Sequence, residues 1–160
     1  MRKQQQHMST SELGDVLTRA ASDPTSGYEV FAYEDLPRYK NAPKDWEQVV
    51  IECSSLKSVV QPEYFLAACA EFLINNRCSW EGLEGLISRT LDLQSSYVFL
   101  ESICKYAKGR QVSIELARKI VHTIERKPPF IRFLYFLDSP IRSLVKDCRT
   151  FVETKKQISE

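Results

Sequence analysis

The chain has 160 residues, 43% of them hydrophobic and 27% charged, and its 22 basic residues nearly balance its 21 acidic ones. This composition is sufficient to bury a core and excludes a globally disordered chain. Five glycines and seven prolines are too few for a collagenous or turn-dense all-β protein. The net charge of +1 excludes an overall field that would draw the whole chain onto nucleic acid or a membrane.

The first 44 residues predict one short helix between two irregular segments. Residues 1–8 are polar, lack the apolar run of a signal peptide, and are predicted to be a disordered leader. Ser9 and Glu12 have the spacing of a capping box, and a helix is predicted over about 10–21. In residues 28–44, a strand would have no partner strand, so we expect an extended stretch that presses its aromatic rings onto the helical body. The rings that define this candidate docking segment are Tyr28, Phe31, Tyr33 and Tyr39.

Residues 45–156 predict a domain of about seven helices with short connections. Each helix carries apolar residues at helical spacing, which we expect to be buried, including those of residues 130–137. Gly82 and Gly85 fall inside a predicted helix, so we expect a neighbouring helix to pack closely against them. The predicted starting points are Asp45, Pro62, Ser79, Ser95 or Ser96, Ser113, Pro128-Pro129 and Ser139-Pro140.

The sequence aligns with itself at an offset of 34 residues, which brings Trp46, Trp80 and Ile114 into register. In period and in Trp80-x-x-Leu83 the unit resembles a tetratricopeptide repeat, but Glu84 and Ile87 stand where that pattern has Gly and Tyr. Its later Ala and Pro positions also match poorly. We therefore infer helical hairpins and not membership of that family. The predicted fold is all-α: stacked helical hairpins, either α-solenoid-like or a compact multi-helix bundle, after an irregular aromatic-rich N-terminal segment.

Residues suited to catalysis or metal binding are sparse. The only histidine outside the leader is His122, and the nearest thiol along the chain is Cys104 on the preceding helix. We interpret them as a surface histidine and a buried thiol, although a Cys/His enzyme remains the least favoured alternative. The chain has no CxxC pair and no glycine-rich phosphate loop, so the sequence predicts no metal and no cofactor.

Charge is distributed unevenly along the chain. Residues 1–100 contain 9 basic and 14 acidic residues, and residues 101–160 contain 13 basic and 7 acidic ones, which gives net charges of −5 and +6. One predicted helix carries a basic stripe suited to phosphates or to an acidic partner, although Glu115 and Glu125 interrupt it. The residues of this stripe are Arg118, Lys119, His122 and Arg126.

The preferred functional prediction is a non-catalytic protein-interaction or adaptor module built from helical hairpins. A nucleic-acid-binding protein that uses the basic stripe is the alternative. We expect a protein partner, no membrane partner, and self-association as an option, because an acidic half and a basic half suit head-to-tail contacts. An odd number of dispersed cysteines and the absence of an Asn-X-Ser/Thr site predict a soluble, reduced, intracellular protein, in the cytoplasm or the nucleus.

Overall fold

The computed structural model of the protein describes residues 8–158, and no residue of this range lies in a strand. The predicted all-α class is therefore confirmed for the described part of the chain. Two short turns precede the second α-helix: a π-helical turn at Phe31–Asp35 and a 3₁₀ turn at Leu36–Arg38. The α-helices are α1 (Thr10–Ser22), α2 (Lys44–Ser54), α3 (Pro62–Asn75), α4 (Leu83–Leu93), α5 (Tyr97–Ala107), α6 (Ile114–Glu125), α7 (Pro129–Leu137) and α8 (Ser139–Ile158).

The helices group into two compact units, the first ending at Cys78 and the second beginning at Ser79. The first contains α1 to α3 and the two turns, and the second contains α4 to α8. The sequence predicted a boundary between residues 44 and 45, which falls in the first turn of α2. In the structure α2 packs against both α1 and α3, so these three helices share one core.

The first unit is built around α3. Nine of its fourteen residues are buried, so the helix is apolar over most of its circumference, as expected for a central helix. It contacts α2 and both turns of the aromatic segment. Trp46 of α2 is buried, and its ring lies 6.5 Å from that of Phe72 on α3.

The predicted capping box at the start of α1 is confirmed. The backbone N–H of Glu12 donates to the Ser9 hydroxyl oxygen at 3.2 Å, and the Ser9 N–H donates to the Glu12 carboxylate at 2.8 Å. Residues 1–7 of the predicted leader lie outside the described residues. Met8 is described, and its carbonyl accepts a 3.1 Å hydrogen bond from the indole of Trp46, which joins the start of this helix to α2.

The expectation of an extended backbone is wrong for residues 29–38, which form consecutive helical turns. Ala32 and Leu36 are four residues apart and both fully buried, which is the spacing of one helical face. The rings do press onto the first unit as expected: Tyr33 lies 6.4 Å from Phe65, and its hydroxyl donates to the Ala20 carbonyl at 3.0 Å. The sequence did not predict these turns, because the segment is rich in aromatic residues and Pro37 disfavours a long helix.

The second unit is organised by its longest helix, α8. This helix packs against α5, α6 and α7, and α4 packs against α6. The buried residues of α8 are Ile141, Leu144, Val145 and Cys148, which follow helical spacing as predicted. The serine caps predicted for α5 and α6 are confirmed, because Ser96 accepts from the Phe99 N–H and Ser113 from the Leu116 N–H.

Three predicted helix starts need correction. α2 begins at Lys44 after Pro43, with no side-chain cap, so Asp45 lies within its first turn. α4 begins at Leu83, four residues after Ser79, with Gly82 at the cap position. At α8, the cap is Asp138 and not Ser139, because the Asp138 carboxylate accepts the Ile141 N–H at 2.9 Å.

Because α4 starts later than predicted, Gly82 lies at its cap and only Gly85 lies inside it, and no neighbouring helix packs closely against either residue. A Cβ at Gly82 would overlap the indole of Trp80, so the close neighbour is a side chain two residues away and not another helix. A Cβ at Gly85 would have nothing within 4 Å. Trp80 lies before α4 while Trp46 lies within α2, so these two tryptophans do not occupy equivalent places, and the 34-residue repeat stays a prediction.

Candidate functional site

The most unusual surface of the described chain is one face of α7. None of the nine residues of this helix is buried, although seven of them are Phe, Leu, Ile or Tyr. Of the twelve large apolar side chains that are exposed in the described residues, four come from α7 alone. We call them the α7 face: Phe130 (68% exposed), Phe133 (59%), Leu134 (43%) and Leu137 (64%).

The spacing of these four residues makes them neighbours. They occupy positions i, i+3, i+4 and i+7, which share one side of an α-helix. The α7 face is therefore one continuous apolar strip and not a set of scattered side chains. Single exposed apolar residues are ordinary on a protein surface, whereas a large contiguous patch is typical of interaction surfaces, ligand-binding grooves and aggregation-prone surfaces.

The opposite side of α7 fixes the helix on its unit. The Tyr135 ring lies 6.1 Å from that of Tyr97, and the Tyr135 hydroxyl donates to the Ser95 carbonyl at 3.3 Å. The Arg149 guanidinium of α8 lies 6.0 Å from the Phe136 ring. These contacts hold α7 with its more polar side inward and its most apolar strip outward.

The expectation that residues 130–137 bury their apolar face is therefore wrong. A nine-residue helix that is apolar almost all round has no sequence signal that distinguishes its inner side from its outer side. The sequence did show that α7 has apolar residues on more than one side. Packing against the neighbouring α8 covers only one side of a helix, so some of these residues had to stay exposed. Sequence reasoning missed this face because nothing in the sequence distinguished the inner side from the outer side.

The basic stripe lies on α6, immediately before α7 in the chain. Arg118, His122 and Arg126 are exposed as predicted. Lys119 is less able to bind a phosphate or an acidic partner, because its ammonium already pairs with Asp92 at 2.7 Å and donates to the Ser88 carbonyl at 3.3 Å. Three stripe residues share an open surface cavity of about 340 Å³, which is lined by Leu91, Asp92, Ser95, Lys119, His122, Thr123, Arg126 and Lys127.

The other end of α7 carries carboxylates. Asp138 accepts hydrogen bonds from the Tyr97 hydroxyl and the Ile141 N–H, and these bonds lower its pKa, so it is charged at neutral pH. The bond to Asp138 is the main cause that raises the pKa of Tyr97 to about 12, with burial and the charges of Asp138 and Glu101 adding to it. Arg142 also lies here and donates to the Phe136 carbonyl at 3.5 Å. The charged groups near this end are therefore the Asp138 and Glu101 carboxylates and the Arg142 guanidinium.

The four rings of the predicted docking segment are half-buried and contact their own unit. Tyr28 lies under the Arg19 guanidinium at 5.8 Å. The Tyr39 ring lies edge-on to Phe31 at 6.2 Å and tilted against Trp46 at 5.3 Å. Tyr33 contacts Phe65 and Ala20 as described above. These rings therefore have a structural role in the first unit.

The Cys104 thiol is poorly prepared for nucleophilic attack. It is half-buried, and burial, with the charges of Asp138 and Glu101 adding to it, raises its pKa to about 11. A thiol with that pKa is protonated at neutral pH, whereas the thiolate is the reactive form. Within residues 8–158, no group of three or more His, Cys, Asp or Glu side chains is placed to hold a metal ion.

Among the described residues, no helix combines the length and apolar character needed to cross a membrane. Comparison with known proteins gave no match to any family model, to any curated protein or to any solved structure.

Proposed function

We propose that this chain is a non-catalytic protein-interaction module of the adaptor kind, and that its docking surface is the α7 face. The observation that carries the proposal is the outward orientation of Phe130, Phe133, Leu134 and Leu137 on a helix held from behind by Tyr135 and Phe136. A monomer gains nothing from exposing its most apolar helix. A binding partner that covers this strip removes that cost.

Covering the α7 face contributes a substantial part of the energy that specific binding requires. Complete burial of one Phe or Leu side chain contributes about 1.5–3 kcal/mol, and these side chains are 43–68% exposed. Four such side chains supply on the order of 5 kcal/mol before the cost of association, and charged or polar contacts at the rim add to that. Aromatic side chains are also the usual anchors of interfaces.

The chemistry of the chain favours binding over catalysis. The half-buried thiol of Cys104 is held protonated, and His122 lies on the exposed side of α6. No disulfide bond joins any of the five cysteines, all of which are described residues, and this supports a reducing, intracellular compartment for the interaction.

Nucleic-acid binding through the basic stripe is the second candidate. The cavity beside His122 and Arg126 favours it, because exposed cations there suit phosphate groups. Two neutralising pairs weigh against it: Lys119 with Asp92, and Glu125 with Arg149 at 3.1 Å. If this candidate were correct, binding would weaken steeply as salt concentration rises.

The test is affinity capture from native extract with the full chain, in the presence and absence of nuclease. Three baits are compared: the wild type, Phe133→Glu on the α7 face, and Val60→Glu as a control. Val60 is 58% exposed, close to the 59% of Phe133, but it lies before α3 in the first unit. We expect the same protein on the wild type and the control, with nuclease present, and at least a tenfold loss on Phe133→Glu.

If the Phe133→Glu bait captures the same protein as the wild type, the α7 face is not the docking surface. A fourth bait, Arg126→Glu on the basic stripe, tests the nucleic-acid candidate. Capture that nuclease abolishes, and that Arg126→Glu reduces more than Phe133→Glu does, would favour that candidate. Circular dichroism and the melting temperature of each variant establish that the baits are equally folded.

A further inference from the structure

The two ends of the α7 face carry opposite charge. Ahead of its first turn are Arg126 and Lys127, both at the edge of the 340 Å³ cavity. Beyond its last turn are Asp138, which accepts the Tyr97 hydroxyl, and Glu101, which lies one helical turn after Tyr97 on α5. Arg142 also lies at this end, where it donates to the Phe136 carbonyl, and Arg149 lies over the Phe136 ring but is paired with Glu125. With that pair set aside, two carboxylates and one guanidinium leave this end negative, while Arg126 and Lys127 make the first end positive.

The helix itself adds to this polarity. Aligned peptide dipoles place partial positive charge at the N-terminus of a helix and partial negative charge at its C-terminus, so α7 reinforces both ends. The helix is nine residues, or about 13 Å, long, so both charged ends fall within one small patch. The patch is thus an apolar strip with a positive end and a negative end.

A strip of this kind is complementary to itself. When two identical copies pack antiparallel about a two-fold axis, the positive end of each copy meets the negative end of the other, and this favourable meeting occurs twice. A parallel arrangement would bring like charges together at both ends. The electrostatic pattern therefore selects both a partner and an orientation.

The area of the strip agrees with a weak or moderate dimer. Taking about 200 Å² for a fully exposed large side chain, the four residues present on the order of 450 Å² per copy. Two copies would bury roughly 900 Å², and rim contacts from residues such as Tyr97 and Lys127 would bring the total to the low end of the 1,200–2,000 Å² of stable complexes.

We propose that the α7 face is a homodimer interface in which two copies of this chain pack their α7 helices antiparallel, with Lys127 of each copy beside Glu101 and Asp138 of the other. The inference rests on the proposed function, because it names the partner of the same surface. It assigns the partner as a second copy of the chain and not as an acidic peptide, because the surface is not uniformly basic.

The first experiment is sedimentation velocity on the purified full chain from about 1 to 100 µM. We expect a reversible monomer–dimer equilibrium with a dissociation constant in the micromolar range. Phe133→Glu should weaken association at least thirtyfold, and Val60→Glu should leave it unchanged. Since Phe133 is largely exposed, the variant should retain the wild-type circular dichroism spectrum and melting temperature.

The second experiment tests the orientation by charge reversal. Lys127→Glu and Glu101→Lys should each weaken self-association by about five- to tenfold, because each places like charges opposite one another twice. An equimolar mixture of the two variants should recover wild-type association as a heterodimer, because both ends are then paired with opposite charge. A mixture that associates no better than the separate variants would overturn the antiparallel arrangement.

A wild-type chain that stays monomeric at 100 µM, or a Phe133→Glu chain that still dimerises, would overturn the homodimer. The extract experiment separates this failure from that of the proposed function. A monomeric chain whose captured protein is still lost on Phe133→Glu retains the docking surface with a different partner. If the chain is monomeric and captures no protein through the α7 face, both proposals are contradicted.

Discussion

Asp138 links α5 to the start of α8 through one carboxylate. It caps α8 by accepting the Ile141 N–H, and it accepts the hydroxyl of Tyr97 from α5. The sequence favoured Ser139 for the cap, since Ser-Pro is a common start of a helix. Asp138 fills the role because its carboxylate accepts the N–H of Ile141, the third residue of the helix, whereas Ser139 is already the first residue.

We predict that Asp138→Ala destabilises the protein by about 1–2 kcal/mol, whereas Ser139→Ala changes stability by less than about 0.5 kcal/mol. Urea unfolding followed by circular dichroism measures both. Equal effects of the two substitutions would contradict the assignment of the cap.

Asp138 also makes a prediction about pH. Its pKa is lower in the folded chain than its ordinary value of 3.8, so its stabilising effect is complete above that value and is lost as pH falls through the lower folded pKa. The difference in stability between the wild type and Asp138→Asn should therefore shrink as the pH is taken from 6 to below 3. A difference that is constant across this range would show that charge has no part in the effect.

The two glycines near the start of α4 have opposite surroundings. Gly85 lies inside the helix with open space at its Cβ position, so Gly85→Ala should stabilise the protein by about 0.5–1 kcal/mol through helix propensity. At Gly82 the added methyl group would displace the Trp80 indole, so Gly82→Ala should cost about 1 kcal/mol and alter the tryptophan fluorescence. Thermal unfolding of the two variants side by side tests the sign of each effect.

At the scale of secondary-structure elements, two asparagines at the end of α3 hold the aromatic segment in place. Asn75 donates to the Pro37 carbonyl at 2.6 Å. Asn76 donates to the Tyr39 carbonyl and accepts the Ala42 N–H, both at 2.9 Å. The backbone that follows the 3₁₀ turn is thus bonded to side chains of α3, which explains how an irregular stretch satisfies its polar groups.

We predict that Asn76→Ala destabilises the first unit by about 1–3 kcal/mol, since it leaves two backbone groups without their partners. Asn76→Asp, which keeps the acceptor and loses the donor, should have an intermediate effect. Hydrogen exchange of residues 37–43, read by mass spectrometry, should accelerate in Asn76→Ala and stay unchanged in Lys40→Ala, an exposed neighbour. Unchanged exchange in Asn76→Ala would mean that the rings alone hold the segment.

The elements differ in how far the sequence specified them. Ser9, Ser96, Ser113, Pro62 and Pro129 marked five helix starts correctly, because capping and first-turn proline act within four residues of the chain. The start of α4 was missed because the Trp80 ring packs over Gly82, a local contact that no capping pattern describes. The helical turns at residues 29–38 depend on α3, which is distant in sequence.

The same distinction holds for the candidate site. The basic side chains of α6 were predicted because charge and helical spacing suffice to place them on a surface. The pairing of Lys119 with Asp92 joins residues 27 apart, and the outward rotation of α7 follows from the contacts of Tyr135 and Phe136. Such tertiary contacts decide which face of an apolar helix is covered, so the α7 face emerged only from the structure.

At the scale of the whole molecule, the cysteines report on the packing of both units. Cys53, Cys69 and Cys78 are buried in the first unit, and Cys148 is buried in the second, while Cys104 is half-buried. Burial raises the pKa of the Cys69 thiol, and it raises those of Cys104 and Cys148 to about 11. Slow reaction with a thiol reagent is thus expected from two causes, restricted access and a low fraction of thiolate.

We predict that the native chain at pH 8 reacts with a thiol reagent such as DTNB at far less than the rate of a free cysteine, and that all five thiols react at once in denaturant. Cys104, the least buried, should react first, so Cys104→Ser should remove the fastest native phase while Cys69→Ser leaves it unchanged. Rapid modification of Cys104 in the native chain would mean that its thiolate forms readily. That result would favour the alternative of an enzyme that uses Cys104 and His122. Slow modification of every thiol would instead agree with cysteines whose packing restricts access and keeps the thiols protonated.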